Sequence, residues 1–247
     1  YRVDTKQMVD MFRAGVLDMV KMPHATLRLE ACHDDYEGAT DADTPPPGAH
    51  MSRPHMYISR AVSEGFAILG AAHASLAWRL RASEDPAAPA LRHYGPEDFE
   101  RVDAARFEEL KRLGTHLVIT ESTLGHSESI LVVGSPDVVL APLPERVAAP
   151  ERGESVVQKP LKMYILLLEH LPLAHALAAS ATAAVQCHDA FVTDPVMQEW
   201  VSGRFAKSVC AVNERELASA QDTPEHCVVR SENSGQVVGV AFCPRWQ

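Results

Sequence analysis

Three consecutive residues, Cys187-His188-Asp189, have the side-chain types of a nucleophile, a base and an orienting acid. A cysteine activated by a neighbouring histidine is one route to covalent catalysis. Adjacent residues on a helix point in different directions, however, so these three cannot form a catalytic relay by themselves. We therefore do not predict a cysteine nucleophile at this position.

The histidines raise the question of a metal site. The chain has 12 of them, but none stands in a His-Glu-x-x-His frame and no cysteines form a Cys-x-x-Cys pair. These are the spacings that structural and catalytic zinc sites use. Glu169, His170 and His175 bracket a predicted turn and are expected to be exposed. Because the chain also has no Gly-x-Gly-x-x-Gly or Walker sequence, we predict no metal and no cofactor.

His73 is the histidine with the most promising position. It falls on the expected buried side of a long, alanine-rich helix that begins near Gly65. A buried histidine can be a hydrogen-bonded member of the core or a catalytic base. We favour the core histidine and keep the base as the alternative.

Charge and cysteine usage limit the possible functions. The 247 residues carry a net charge of −10 with a pI near 5.6, which argues against a surface that collects nucleic-acid phosphates. The five cysteines cannot all be paired, and this indicates a reducing compartment, either the mitochondrial matrix or the cytoplasm. No run of about 20 apolar residues is present to span a bilayer.

The strongest feature is an internal similarity. When residue 56 is aligned with residue 163 without gaps, Met56-Tyr57-Ile58 matches Met163-Tyr164-Ile165, and the segment 72–77 matches 179–184 in its three alanines. Each copy has a short apolar strand followed by a long helix of small residues, which can pack closely on a sheet. We therefore predict an α/β fold made of two tandem three-layer units, each a small four-stranded mixed sheet flanked by helices.

Flanking and connecting segments complete the predicted organisation. Residues 5–21 have the periodicity of an amphipathic helix, and the proline-rich stretch 41–48 is typical of a linker. The predicted divisions are an N-terminal helix and linker at 1–54, a first unit at 55–140, a proline-rich connector at 141–161 and a second unit at 162–247.

Individual elements can be predicted within each unit. In the second, we expect a short helix at 195–201, strands at 206–212, 226–230 and 237–242, and a helix at 214–220 capped by Asn213. In the first, we expect a helix at 107–113 and strands at 115–120 and 129–133. Residues 82–99 contain three prolines, so the strand expected there could be lost or displaced.

The matched segments resemble a known family, the archaeal and eukaryotic type of peptidyl-tRNA hydrolase. Gly65 to Leu76 resembles the family's first helix, with its Ala-Gln-x-x-His-Ala pattern. Residues 198–209 resemble its tryptophan-containing helix, glycine turn and following strand. The segments 130–136 and 237–244 resemble its last strand and closing Gly-Pro. The resemblance covers most of 55–137 and 162–245.

The positions that would carry the family's activity are where this chain departs from it. The resemblance implies a lysine-rich turn before the first helix, a catalytic aspartate and a nearby threonine. The turn is Ser63 to Phe66 in one copy and Leu171 to Ala174 in the other, without lysine. Near the expected aspartate are Glu121, Thr123 and Glu232, which with His73 are the candidate residues if activity is retained.

Two functions follow from these observations. In the first, the chain is a noncatalytic scaffold or accessory subunit whose partners are the protein subunits of a larger assembly, mitochondrial or cytoplasmic. In the second, one copy still hydrolyses peptidyl-tRNA or a related ester or amide, with Glu121 or Glu232 as general base. We favour the first, because displacing a catalytic group by about 1 Å can reduce the rate roughly 100-fold.

Overall fold

The computed structural model describes residues 54–82, 93–121, 126–134, 138–141, 161–203, 205–231 and 234–246. The predicted N-terminal helix at 5–21, the linker at 41–48, and the candidate residues Thr123 and Glu232 lie outside these ranges.

Each half of the chain forms a four-stranded mixed sheet with the same strand order. The first unit comprises β1 (His55–Ser59), α1 (Glu64–Ala82), a 3-10 turn (Pro96–Asp98), β2 (Phe99–Val102), α2 (Ala104–Leu110), β3 (His116–Glu121) and β4 (Ser127–Val133). The second comprises β5 (Leu161–Leu168), α3 (Leu173–Ala190), α4 (Pro195–Ser202), β6 (Ala206–Val212), α5 (Glu214–Ala220), β7 (His226–Arg230) and β8 (Val237–Trp246). The first sheet has the order β2-β1-β4-β3 and the second β6-β5-β8-β7, with one parallel pair (β1 and β2, β5 and β6) in each. The predicted fold class is confirmed.

Alternation along the strands of the first sheet gives it two buried faces. On β4, Ile130 and Val132 join the core formed with α1, whereas Leu131 joins a separate cluster with Phe107 and Leu110 of α2. Successive side chains of a strand point to opposite faces, so one strand can serve both layers. The first unit is therefore three-layered, with α1 on one side of the sheet and α2 on the other.

The two units share a core through their long helices. Helix α1 packs against α3, and two serines bond across the contact: Ser75 Oγ donates to the carbonyl of Ala181 at 3.2 Å, and Ser180 Oγ donates to that of Ile68 at 3.0 Å. Ala72 and Leu76 of α1 belong to the second unit's core. Ala178 and Ala181 of α3, with their neighbours Leu177 and Val185, belong to the first. Small side chains allow this close approach, and the two cores interpenetrate.

The sheet registers correct the gapless alignment. The β1–β2 ladder ends at Ser59 opposite Val102, and the β5–β6 ladder ends at Leu168 opposite Val212. Position 59 thus corresponds to 168, a separation of 109 residues rather than 107, and Glu64 and Leu173 begin their helices at this same separation. A shift of two residues leaves a strand's faces unchanged but turns a helix by roughly 200°. The alanines at 72 and 179 are therefore not equivalent.

A β-bulge at the same place in both sheets supports this equivalence. The β3–β4 register shifts between Ile119 and Thr120, leaving Ser129 as the extra residue on β4. The β7–β8 register shifts between Val229 and Arg230, leaving Val238 as the extra residue on β8. Bulges re-aim a strand and are specific local features. Both copies share this β-bulge.

Two helix starts show how local capping sets the boundaries. Asn213 accepts a hydrogen bond from the backbone N–H of Glu216 at 2.9 Å, as predicted for the cap of α5. At the equivalent place in the first unit, Asp103 accepts from the N–H of Arg106 at 2.9 Å. This cap starts α2 at Ala104, so the prediction of 107–113 was three residues late.

Candidate functional site between the two units

His73 lies buried at the contact between the units. Its side chain belongs to α1, and the residue is 2% exposed. Its ring meets the ring of Phe205, in the second unit, edge-on, with the centroids 5.0 Å apart at an interplanar angle of 75°. Such an arrangement is favourable for two aromatic rings. His73, for which sequence analysis favoured a core position and kept a catalytic base as the alternative, is thus buried at the inter-unit contact.

A buried lysine completes this arrangement from the second unit. Lys207 Nζ lies 3.2 Å from the ring centroid of Phe205 and 4.6 Å from that of Trp200, and it donates to the carbonyl of Phe205 at 3.3 Å. Trp200 Nε1 donates to the carbonyl of Ala206 at 2.8 Å, which fixes its ring. An ammonium over an aromatic face is stabilised, more so when desolvated. We call His73, Trp200, Phe205 and Lys207 the aromatic–lysine cluster.

The position in the second unit that is equivalent to His73 has different residues around it. At the separation of 109 residues, His73 corresponds to Thr182 of α3 rather than to Ser180. Thr182 Oγ1 accepts a hydrogen bond from the backbone N–H of Tyr94 at 2.9 Å. Tyr94 precedes β2 as Phe205 precedes β6. Each long helix therefore contacts the segment that leads into the second strand of the opposite unit.

Glu121 lies at the edge of the first sheet. It ends β3, the outer strand of the first sheet, opposite Ser127, and it is 3% exposed. His116 and His226 occupy equivalent places in their ladders, opposite Val133 and Phe242, so position 121 corresponds to 231. That residue is Ser231, and the second copy thus has no carboxylate at the place of Glu121.

Two arginines near the turn between β1 and α1 escaped the sequence analysis. Arg101 Nη2, from the end of β2, donates to the carbonyls of Val62 at 2.7 Å and Arg60 at 3.1 Å. Arg60 Nε donates to the carbonyl of Arg101 at 3.3 Å. The Arg101-Val102 ending of β2 was the available signal, but it fell beside a stretch that we could not assign to a strand. Position 60 corresponds to Glu169, which removes this cation from the second copy.

The Cys187-His188-Asp189 sequence does not face a single reaction centre. His188 Nδ1 lies 3.2 Å from Asp189 Oδ1, and Arg79 Nε from α1 lies 3.5 Å from the same oxygen. The thiol of Cys187 interacts instead with that of Cys227. The aspartate therefore joins the two long helices.

The three polar residues that bracket the second turn, Glu169, His170 and His175, are exposed, as predicted. Within the described ranges, no group of three or more His, Cys, Asp or Glu side chains is placed to hold a metal ion. Among the same residues, no helix combines the length and the apolarity needed to cross a membrane.

Comparisons with known proteins add no family to these observations. No protein-family model, no curated protein and no solved structure matches this chain.

Proposed function

We propose that the chain is a noncatalytic scaffold or accessory subunit of a larger assembly, built on two degenerate peptidyl-tRNA-hydrolase-like units. The observation that supports this most directly is the use of position 73. In the first copy its histidine packs on Phe205, and in the second the corresponding Thr182 accepts a hydrogen bond from Tyr94. Both places are occupied by contacts that hold the units together.

Limited access of water supports the same proposal. Hydrolysis of an ester needs a positioned water and donors for the oxyanion. His73 is 2% exposed and Glu121 is 3% exposed, so neither side chain offers more than a small surface to solvent in this conformation. Lys207, which could otherwise face an RNA phosphate, is directed onto two aromatic rings. The arrangement of His73, Glu121 and Lys207 suits packing better than hydrolysis.

The outer strands offer surfaces for protein partners. Within the part of the chain that the structure describes, the two edge strands of each sheet, β2 and β3 or β6 and β7, are paired on one side only. An edge strand presents backbone donors and acceptors that can add a further strand. The charge of −10 favours protein partners over nucleic acid. We propose that these edges, together with the segments at 1–54 and 141–161, contact the other subunits.

One observation favours the alternative, hydrolysis of peptidyl-tRNA. Arg60 and Arg101 lie beside the turn that precedes α1, where the family resemblance implies cations for RNA phosphate. Arg101 already donates to two backbone carbonyls of this turn, and Arg60 donates to the carbonyl of Arg101 on β2. These hydrogen bonds limit the freedom of both guanidinium groups to reach a ligand. The alternative is tested in the same experiment as the proposal.

The decisive experiment has two measurements. The first is turnover of a model peptidyl-tRNA by the wild type and by Glu121→Gln and Glu232→Gln, with Glu97→Gln as a matched carboxylate control on the 3-10 turn. We expect all four proteins to release peptide at the rate of buffer alone. Turnover by the wild type that is lost in Glu121→Gln or Glu232→Gln but retained in Glu97→Gln would establish the hydrolase instead.

The second measurement is the size of the native species in a gently lysed extract. A subunit of an assembly should sediment far ahead of the same chain purified on its own. A chain that sediments only as a free monomer, in extract prepared at low salt, would contradict the proposal.

A further inference from the structure

Three cysteines lie close together inside the second unit. Their chemistry does not depend on the proposed function. Cys187 lies on α3, Cys227 on β7 and Cys243 on β8. In the β7–β8 ladder, Cys227 is opposite Ala241, and Cys243 follows two residues later, so both thiols belong to one face of the sheet. Helix α3 packs on these two strands. Cys187 and Cys243 belong to the same core cluster, and Cys227 packs against it.

Cys187 and Cys227 are neighbours. Cys227 packs against the core cluster that contains Cys187, and each thiol affects the pKa of the other. Cys227 Sγ also donates to the carbonyl of Gln186 at 3.7 Å, which brings β7 against the turn of α3 that carries Cys187. A disulfide can form between neighbouring cysteines whose Cα atoms lie within about 7 Å of each other. The pair spans two different elements, so a bond would join the helix to the sheet edge.

The two thiols differ in the way that exchange chemistry needs. Cys227 is partly exposed, whereas Cys187 is buried with 0% exposure. The interaction with Cys187 lowers the pKa of Cys227, and the same interaction, with burial, raises the pKa of Cys187. A thiolate is the attacking species in thiol–disulfide exchange. Cys227 is therefore the thiol that meets an incoming reagent, and Cys187 is the one that resolves the product.

We propose that Cys187 and Cys227 form a reversible disulfide by exchange with a small disulfide of the glutathione type. The Cys227 thiolate attacks one sulfur of the small disulfide, forming a mixed disulfide and releasing one small thiolate. Cys187 then loses its proton and attacks the Cys227 sulfur, which releases the second small thiolate. Two protein thiols are oxidised to one disulfide, one small disulfide is reduced to two thiols, and the protons end on these thiols.

The other two cysteines in the described part of the chain, Cys210 and Cys243, can be compared with the pair Cys187 and Cys227. Burial raises the pKa of Cys243 to about 12, and this residue is 2% exposed. Cys210 lies on β6, at the opposite edge of the sheet from β7, and burial raises its pKa too. Cys210→Ala is thus a matched control, because it removes a thiol from the same sheet without touching the pair.

Trypsin separates the relevant cysteines. Cleavage after Lys and Arg places Cys187 on the peptide 163–204, Cys210 on 208–215, Cys227 on 216–230 and Cys243 on 231–245. The full-length protein is incubated at low concentration with oxidised glutathione, the free thiols are blocked by alkylation at acidic pH, and the digest is analysed by mass spectrometry with and without reductant.

We expect peptides 163–204 and 216–230 to be joined as the main intramolecular product, and to separate on reduction. Cys210→Ala should leave this product unchanged. Cys187→Ala should abolish it and leave glutathione on 216–230. The proposal is overturned if the wild type keeps both thiols alkylated, stops at the mixed disulfide, or links Cys227 mainly to Cys243. The wild-type map decides the question even if Cys187→Ala does not fold.

Discussion

Replacing Arg79 with methionine tests whether a buried ion pair holds the two long helices together. Arg79 Nε of α1 lies 3.5 Å from Asp189 Oδ1 of α3, and the side chains are 6% and 11% exposed. Methionine keeps much of the apolar stem of arginine, so the main loss is the charge. The carboxylate of Asp189 would then remain in a site with little water.

The cost can be bounded from this geometry. Breaking a buried ion pair by removing one partner destabilises a protein by about 3–5 kcal/mol. The separation of 3.5 Å is longer than that of an ideal charge-assisted hydrogen bond, and His188 Nδ1 also lies 3.2 Å from the same oxygen. We therefore expect Arg79→Met to lower the free energy of unfolding by about 3 kcal/mol, the lower end of that range.

Arg106→Met is the matched control. Arg106 Nη1 lies 2.8 Å from Glu109 Oε2, closer than the buried pair, but the side chains are 45% and 62% exposed. Water screens an exposed pair, and such pairs contribute little to stability. We expect this variant to unfold close to the wild type, because burial and not distance determines the cost.

Urea denaturation followed by circular dichroism and tryptophan fluorescence measures both variants. Trp78 lies in the first unit and Trp200 in the second, each 1% exposed, so fluorescence reports on both cores. Because the cores interpenetrate, we expect one transition that coincides for the two probes. The reasoning is refuted if Arg79→Met costs less than about 1 kcal/mol, if Arg106→Met costs as much, or if the units unfold separately.

Two further predictions concern packing and thiol reactivity. Gly134→Ala should lower the free energy of unfolding by about 1–3 kcal/mol, because the added Cβ would overlap the buried ring of Trp78. Gly65→Ala, with open space around the added Cβ, should be neutral or stabilising. Thermal unfolding of both variants checks this, and equal effects would contradict it. At pH 8 a thiol-alkylating reagent should modify Cys227 at least about tenfold faster than Cys243, because only the thiolate reacts and the pKa of Cys243 is about 12 while that of Cys227 is lowered. Site-resolved mass spectrometry measures the order, and faster modification of Cys243 would be incompatible with these pKa directions.

Local sequence predicted the second unit well because its boundaries have local causes. The bounds of β6, α5 and β7 are those predicted, since Asn213 caps the helix between two short apolar runs. Strand β8 was predicted to end at Phe242, before a proline, but it continues to Trp246. The register of β5 with β8 shifts near Pro244, and a proline is tolerated at such an irregularity.

The candidate site could not be predicted, because its contacts are not local. Nothing near His73 in the sequence indicates Phe205, and helices of alanine match at several alignments. The gapless alignment was wrong by two residues and so paired His73 with Ser180 instead of Thr182. In the first unit, β2 (Phe99–Val102) begins where the proline-containing stretch ends, which is why that strand was expected to be lost or displaced.

Covalent linkage of the two units frees their contact from the symmetry that identical subunits impose. In a homodimer every substitution occurs twice, so each side must suit both roles. Here one side has His73 on Phe205, and the other has Thr182 bonded to Tyr94. A single chain can therefore place a cation such as Lys207 on one side alone, and each half can specialise while remaining indispensable to the fold of the other.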